Sequence, residues 1–126
     1  ILLAHGLGMQ VLQKNSPTTQ NGIVLNFTPC YPKTDSAEDI AAAKYADEYT
    51  NQWYIKPIFD KAYPNIIDKL PEADRPDIQQ GDFDIIAQPL DFLGINYYTR
   101  LTYSAPKSND PFNNQDFYFE HEHNEP

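Results

Sequence analysis

The run Pro89-Leu90-Asp91-Phe92-Leu93-Gly94-Ile95-Asn96-Tyr97-Tyr98-Thr99-Arg100 changes character midway. Phe92 to Ile95 is apolar, with Gly94 inside it. Three side chains able to form hydrogen bonds, Asn96, Tyr97 and Tyr98, follow at once. A run that is apolar along its length reads as a buried strand of a parallel sheet. In an α/β barrel the C-terminal strand ends carry the active site, so the polar end is where chemistry is expected.

The segments upstream supply the rest of such a unit. Ile1 to Lys14 reads as a helix, with Leu2, Leu3, Leu7, Val11 and Leu12 at helical spacing and Asn15-Ser16-Pro17 as its stop. Gly22 to Asn26 is a short apolar run after Asn21-Gly22, a second buried strand. Thr28 to Thr34 holds two prolines and reads as a loop. Asp35-Ser36-Ala37-Glu38 has the form of a capping box, so a helix is expected to run from there through Ile40, Ala43, Tyr45, Tyr49 and Trp53. Pro57 is expected to bend or end it. Short helical pieces are expected within 58–63, over 66–70 and, after Gly81, over 82–87. Leu101 to Ser104 extends or bends the second strand. Residues 105–126 are rich in Asn, Asp and Glu and read as a long acidic loop or disordered tail.

The order is helix, strand, long helical crossover, strand. This is the βαβ pattern of a parallel sheet, with a crossover long enough to be helical and right-handed. A complete (β/α)8 barrel takes about 250 residues, and this chain has 126. The expected fold is therefore α/β, a partial (β/α)8 TIM barrel with two parallel strands and a helical crossover, incomplete as given. Exposed strand edges in such a piece favour self-association.

Composition excludes several function classes. The net charge of −9 sets the chain against nucleic acid and anionic membranes as partners. No run of 18 apolar residues is present, so no membrane helix is expected. Cys30 is the only cysteine, which rules out an internal disulfide and favours a reducing, cytoplasmic compartment. Eleven prolines and nine tyrosines point to long ordered loops and polar aromatic surfaces. Ile1 lies inside an apolar helical pattern, without Met or a basic leader, and a truncated chain with no signal peptide is expected. Asn26-Phe27-Thr28 fits a glycosylation acceptor, which has meaning only in a secretory context.

The Asp91-Phe-Leu-Gly-Ile-Asn-Tyr-Tyr-Thr99 run resembles the sixth-strand motif of glycoside hydrolase family 1, the β-glucosidase family. Gly22-Ile-Val-Leu-Asn26 resembles its fifth strand, and Leu2-Leu-Ala-His-Gly6 the helix after the fourth. Tyr31-Pro32, Ala46-Asp-Glu-Tyr-Thr-Asn-Gln-Trp-Tyr54, Pro57-Ile-Phe59 and Tyr63-Pro64 fit the fifth crossover. Lys56 departs from the acidic residue expected before the proline. The resemblance covers Ile1 to about Arg100 and implies that 1–104 is the central segment of a TIM-barrel glycosidase domain. It further implies that Tyr98 hydrogen-bonds a catalytic nucleophile located outside this chain. Asn96 would belong to the polar network around the sugar, and Asn26 would lie toward the leaving group. Both catalytic glutamates are expected beyond the chain, so no catalytic residue is assigned within it and no cofactor or metal is implied.

Each candidate has a plain structural alternative. Tyr97 and Tyr98 would merely cap a barrel core, and Asn26 would satisfy local backbone. His5 reads as a helix-packing residue and Trp53 as a core anchor. Asn124-Glu125-Pro126 spells the core of the family's acid/base motif, but it follows the sixth strand and is preceded by His121-Glu-His123, so Glu125 reads as a coincidence. His121 and His123 lack a third ligand at metal-site spacing. The expected function is that of a fragment of a retaining β-glucosidase-like hydrolase acting on β-glucosides or oligosaccharides, inactive by itself. The alternative is a non-catalytic α/β sugar-binding or assembly module.

Overall fold

A computed structural model describes residues 1–106 and the backbone of 120–123. The chain starts with helix α1 (Leu2–Asn15) and strand β1 (Gly22–Phe27), followed by a short strand β2 (Cys30–Pro32). A helical crossover comes next: α2 (Ala37–Asp47), a wide π turn (Glu48–Gln52), α3 (Trp53–Phe59), two 3-10 turns (Asn65–Lys69, Glu72–Asp74) and α4 (Asp82–Ile86). It returns to β3 (Phe92–Tyr97), β4 (Leu101–Ser104) and β5 (Glu120–His123).

The two strands read from the sequence pair with each other in parallel, from Gly22 opposite Phe92 to Phe27 opposite Tyr97. Parallel pairing needs a long crossover, and residues 28–91 supply it. The N-terminal ends of the pair are tied reciprocally. Asp91 Oδ2 accepts from the Asn21 N–H at 2.7 Å, and the Asp91 N–H donates to the Asn21 carbonyl at 2.8 Å. Alternation sends Ile23 and Leu25 toward a core of Leu2, Ile58 and Ile86, with Phe83 and Leu90 against it. A second core joins α2 to β2 and β4 through Ala43, Ala46 and Tyr103, flanked by Cys30 and Leu101.

Several expectations are corrected. The proline-bearing loop after β1 contains β2, which pairs in parallel with β4 from Cys30 opposite Leu101 to Pro32 opposite Tyr103. Proline is tolerated because it sits at the end of a three-residue strand, where a lost N–H matters least. Leu101–Ser104 thus forms a separate strand and not a continuation of β3. The cap of α2 is Ser36, one residue later than expected, and its Oγ accepts from the Asp39 N–H at 3.2 Å. Asp39 is committed elsewhere: Thr34 Oγ1 and the Ala105 N–H donate to its carboxylate at 2.6 and 2.8 Å and hold its pKa below the ordinary value. Of the two expected effects of Pro57, a bend or an end, it does not end its helix, for α3 runs on to Phe59 with Pro57 buried inside. On α1 the buried residues are Leu2, Gly6 and Met9, while Leu3, Leu7, Val11 and Leu12 are exposed. Glu120–His123, placed by composition in the acidic loop, is a strand antiparallel to β4. The remainder of that expected loop, 107–119 and 124–126, lies outside the described residues.

Gly6 explains how α1 is seated. A Cβ there would collide with the backbone carbonyl of Ile85 in α4, which cannot rotate aside as a side chain can. Gly6→Ala should destabilise the fold by about 1–3 kcal/mol, the usual cost of overpacking. A denaturant midpoint equal to that of the unaltered protein would show that α1 and α4 do not depend on this close approach.

Candidate functional site

The site is built where β1 and β3 end. Asn26 and Asn96 are register partners across the parallel pair, and Asn96 Nδ2 donates to Asn26 Oδ1 at 2.8 Å. Alternation puts them, with Val24 and Gly94, on the face opposite Ile23 and Leu25, which pack on the helices. Gly94 keeps that face open, for a Cβ on it would lie 2.8 Å from Val24 Cγ2. Asn26 also lines an open hollow of about 280 Å³ with Val24, Leu25 and Tyr54.

Tyr98 stands one residue beyond the last pair, Phe27 with Tyr97, and is 81% exposed. Pairing resumes at Cys30 with Leu101, so residues 28 and 29 face 98, 99 and 100. One extra residue on the β3 side makes a local bulge, a device that re-aims side chains at strand ends. Tyr98 opens that bulge, and the Leu101 N–H donates to the Pro29 carbonyl at 3.0 Å where the ladder restarts. Just beyond, the Arg100 guanidinium lies 5.6 Å from the centre of the Tyr31 ring. Asn26, Asn96 and Tyr98, singled out in the sequence, thus gather at one end of one strand pair.

A polar cluster that sequence reading missed lies directly behind. Asn51, in the π turn and 5% exposed, pairs both ways with Thr28. The Thr28 N–H donates to Asn51 Oδ1 at 3.1 Å, and Asn51 Nδ2 donates to the Thr28 carbonyl at 2.9 Å. Asn51 Nδ2 also donates to Asp47 Oδ1 at 2.6 Å, and Gln52 Nε2 donates to Asp47 Oδ2 at 3.0 Å. The available signal was two polar side chains four apart, Asp47 and Asn51, continuing a helix whose buried positions are Asp39, Ala43 and Ala46.

Two further titratable groups, Cys30 and Tyr103, lie in the second core where the ladder restarts. Burial pushes the Cys30 thiol up to about 11, outweighing a hydrogen bond from Tyr103, and pushes the Tyr103 phenol up to about 12. Neither ionises near neutrality, so Cys30 is no nucleophile. His5 is half-buried, its Nε2 is enclosed without a partner among the described residues, and burial lowers its pKa. Trp53 packs at 5.2 Å from Tyr63 and 6.2 Å from Tyr49, as a core anchor would. Among the described residues no group of three His, Cys, Asp or Glu side chains is arranged for a metal, and no helix is long and apolar enough to cross a membrane. His121 and His123 fall in β5, where only backbone is described, and Glu125 lies outside the described residues.

Comparison with known proteins places this geometry in a family. The sequence model of glycosyl hydrolase family 1 matches residues 1–125. The chain is 32% identical over 101 residues to β-glucosidase A of Acetivibrio thermocellus, covering 79% of this chain and 22% of that protein. It is 33% identical over 104 residues to the aryl-phospho-β-D-glucosidase BglC of Bacillus subtilis, covering 80% of this chain and 22% of that protein. The fold superposes on the crystal structure of the family 1 β-glucosidase from Exiguobacterium antarcticum B7 with a TM-score of 0.80 and 34% identity, over 98% of this chain and 27% of that one. The chain therefore spans about a fifth of the length of the curated relatives it matches.

The raised thiol pKa sets a test of the site's electrostatics. Cys30 should react with a thiol reagent at pH 8 at least about a hundredfold more slowly than an unperturbed cysteine, and labelling should rise only toward pH 11. Labelling at the unperturbed rate would mean that the strand-end packing around Tyr103 is open.

Proposed function

The chain belongs to glycosyl hydrolase family 1, and from that premise we propose that it forms one wall of the active site of a retaining β-glucosidase-type hydrolase. The single observation that supports this is the bond between the Asn26 and Asn96 side chains at paired strand ends, on the face turned away from the helices. Polar groups at the C-terminal ends of parallel strands are where a barrel enzyme holds its substrate.

The chemistry requires two carboxyl groups about 5–5.5 Å apart, contributed from outside this chain. One attacks the anomeric carbon as the other protonates the leaving oxygen; water then releases the sugar from the glycosyl-enzyme as the second group takes its proton. The exposed Tyr98 hydroxyl donates to the nucleophile carboxylate, fixing its rotamer and favouring its charged form. Asn96 and Asn26 offer amide donors and acceptors to the sugar and the leaving-group side. The substrate class is β-linked glucosides, and this chain without the two carboxylates does not hydrolyse them.

A second reading, a non-catalytic α/β sugar-binding or assembly module, draws on one observation. Among the described residues β1 and β3 pair only with each other, so each has an edge open to another strand. A sugar-dependent rise in melting temperature without hydrolysis by the complete protein would favour it.

Tyr98→Phe in the complete protein should lower turnover of an aryl β-glucoside about 10- to 100-fold, the value of one hydrogen bond to a charged group. The exposed ring should keep stability within about 0.5 kcal/mol. Unchanged turnover would remove Tyr98 from the site. Hydrolysis by the isolated chain would overturn the placement of both carboxylates outside it.

A further inference from the structure

We propose that Asn51 is the positioning residue of this site: it replaces a missing strand at the end of β1 and thereby fixes Asn26 against Asn96. The inference rests on the reading of the strand ends as the substrate-facing wall.

The β1/β3 ladder stops at Phe27 and Tyr97 and restarts at Cys30 and Leu101. Between them Thr28 lies outside both runs of paired residues, yet its backbone is partly buried and needs partners. The Asn51 amide presents one acceptor and one donor side by side, the same pair a neighbouring strand would offer, and Thr28 uses both at 3.1 and 2.9 Å. Thr28 is two residues from Asn26, so the contact sets the height and twist of the strand where Asn26 leaves it. An ionised aspartate at this position would lack the donor, and a leucine of the same size would lack both groups.

The orientation of the amide is fixed by Asp47. Both contacts at Asn51 Nδ2 are acceptors, the Thr28 carbonyl and Asp47 Oδ1. A flipped amide would set oxygen against both. Gln52 occupies the other carboxylate oxygen and holds Asp47 in place. The π turn brings Asn51 to this position. Buried residues on α2 fall at 39, 43 and 46, and an unbroken α-helix would continue the stripe at 50. The wide turn adds a residue and brings 51 inward instead. Asn51 acts through Thr28 and does not touch the substrate face.

The test is a double-mutant cycle in the complete protein, reading kcat/KM on an aryl β-glucoside per folded molecule. Asn26→Ala and Asn51→Ala should each lower kcat/KM about tenfold, and the double variant should lose little more than either one. Met9→Ala, at a buried position of α1, which packs on α3 and α4, supplies a destabilised control whose kcat/KM stays unchanged. Losses that multiply, or an Asn51→Ala variant with full activity, would overturn the role of Asn51 while leaving the site reading intact. No loss in Asn26→Ala would overturn both. If Asn51→Ala does not fold, amide exchange in the unaltered protein decides: the Thr28 N–H must be protected, and exchange at the rate of an open loop would overturn the proposal.

Discussion

The parallel pairing of Gly22–Phe27 with Phe92–Tyr97 is the constraint on which the rest of this structure depends. Parallel strands cannot be joined by a tight turn, so the chain must travel a helical crossover before it can close the pair. That crossover in turn supplies the helices that cover Ile23 and Leu25. A slip of one residue would exchange the two faces, sending Asn26 into the helix core and Leu25 to the open side. The register is secured at both ends by side chains: Asp91 with Asn21 at one end, Asn26 with Asn96 at the other. The same contact that locks the register therefore assembles the polar face.

Beyond that face the ladder is interrupted and not merely ended. Two residues oppose three, and the extra one lies in the segment opened by Tyr98. Breaking a ladder exposes backbone groups that must find partners elsewhere. The crossover provides them, since its π turn brings Asn51 to Thr28 and the Leu101 N–H reaches the Pro29 carbonyl. The second core, Ala43, Ala46 and Tyr103, then holds α2 over β2 and β4, where Asp39 receives the Ala105 N–H. Packing, polar satisfaction and strand-end geometry are thus coupled through one helix.

The elements that could be read from the sequence are those whose cause is local. Apolar runs ending in Asn gave both long strands and their polar ends, and Gly81, with its φ of 95°, marked the start of α4. What escaped has non-local causes. β2 exists because β4 lies beside it, and two prolines masked it. The cap falls on Ser36 and not Asp35, while the carboxylate of Asp39 is engaged by Thr34 and by Ala105, which lies 66 residues away. Asn51 was invisible to a 3.6-residue period because the π turn shifts that period by one residue. The direct bond between Asn26 and Asn96 required the register, which sequence alone left open although each residue was singled out separately.

The most direct test of the account is a crystal structure of the complete protein holding an unreacted aryl β-glucoside analogue. The account predicts the sugar over the face that carries Asn26 and Asn96, with the Tyr98 hydroxyl within about 2.6–3.2 Å of a carboxylate contributed from outside residues 1–126. A sugar bound elsewhere, with this face filled by apolar side chains and Tyr98 far from any carboxylate, would contradict it.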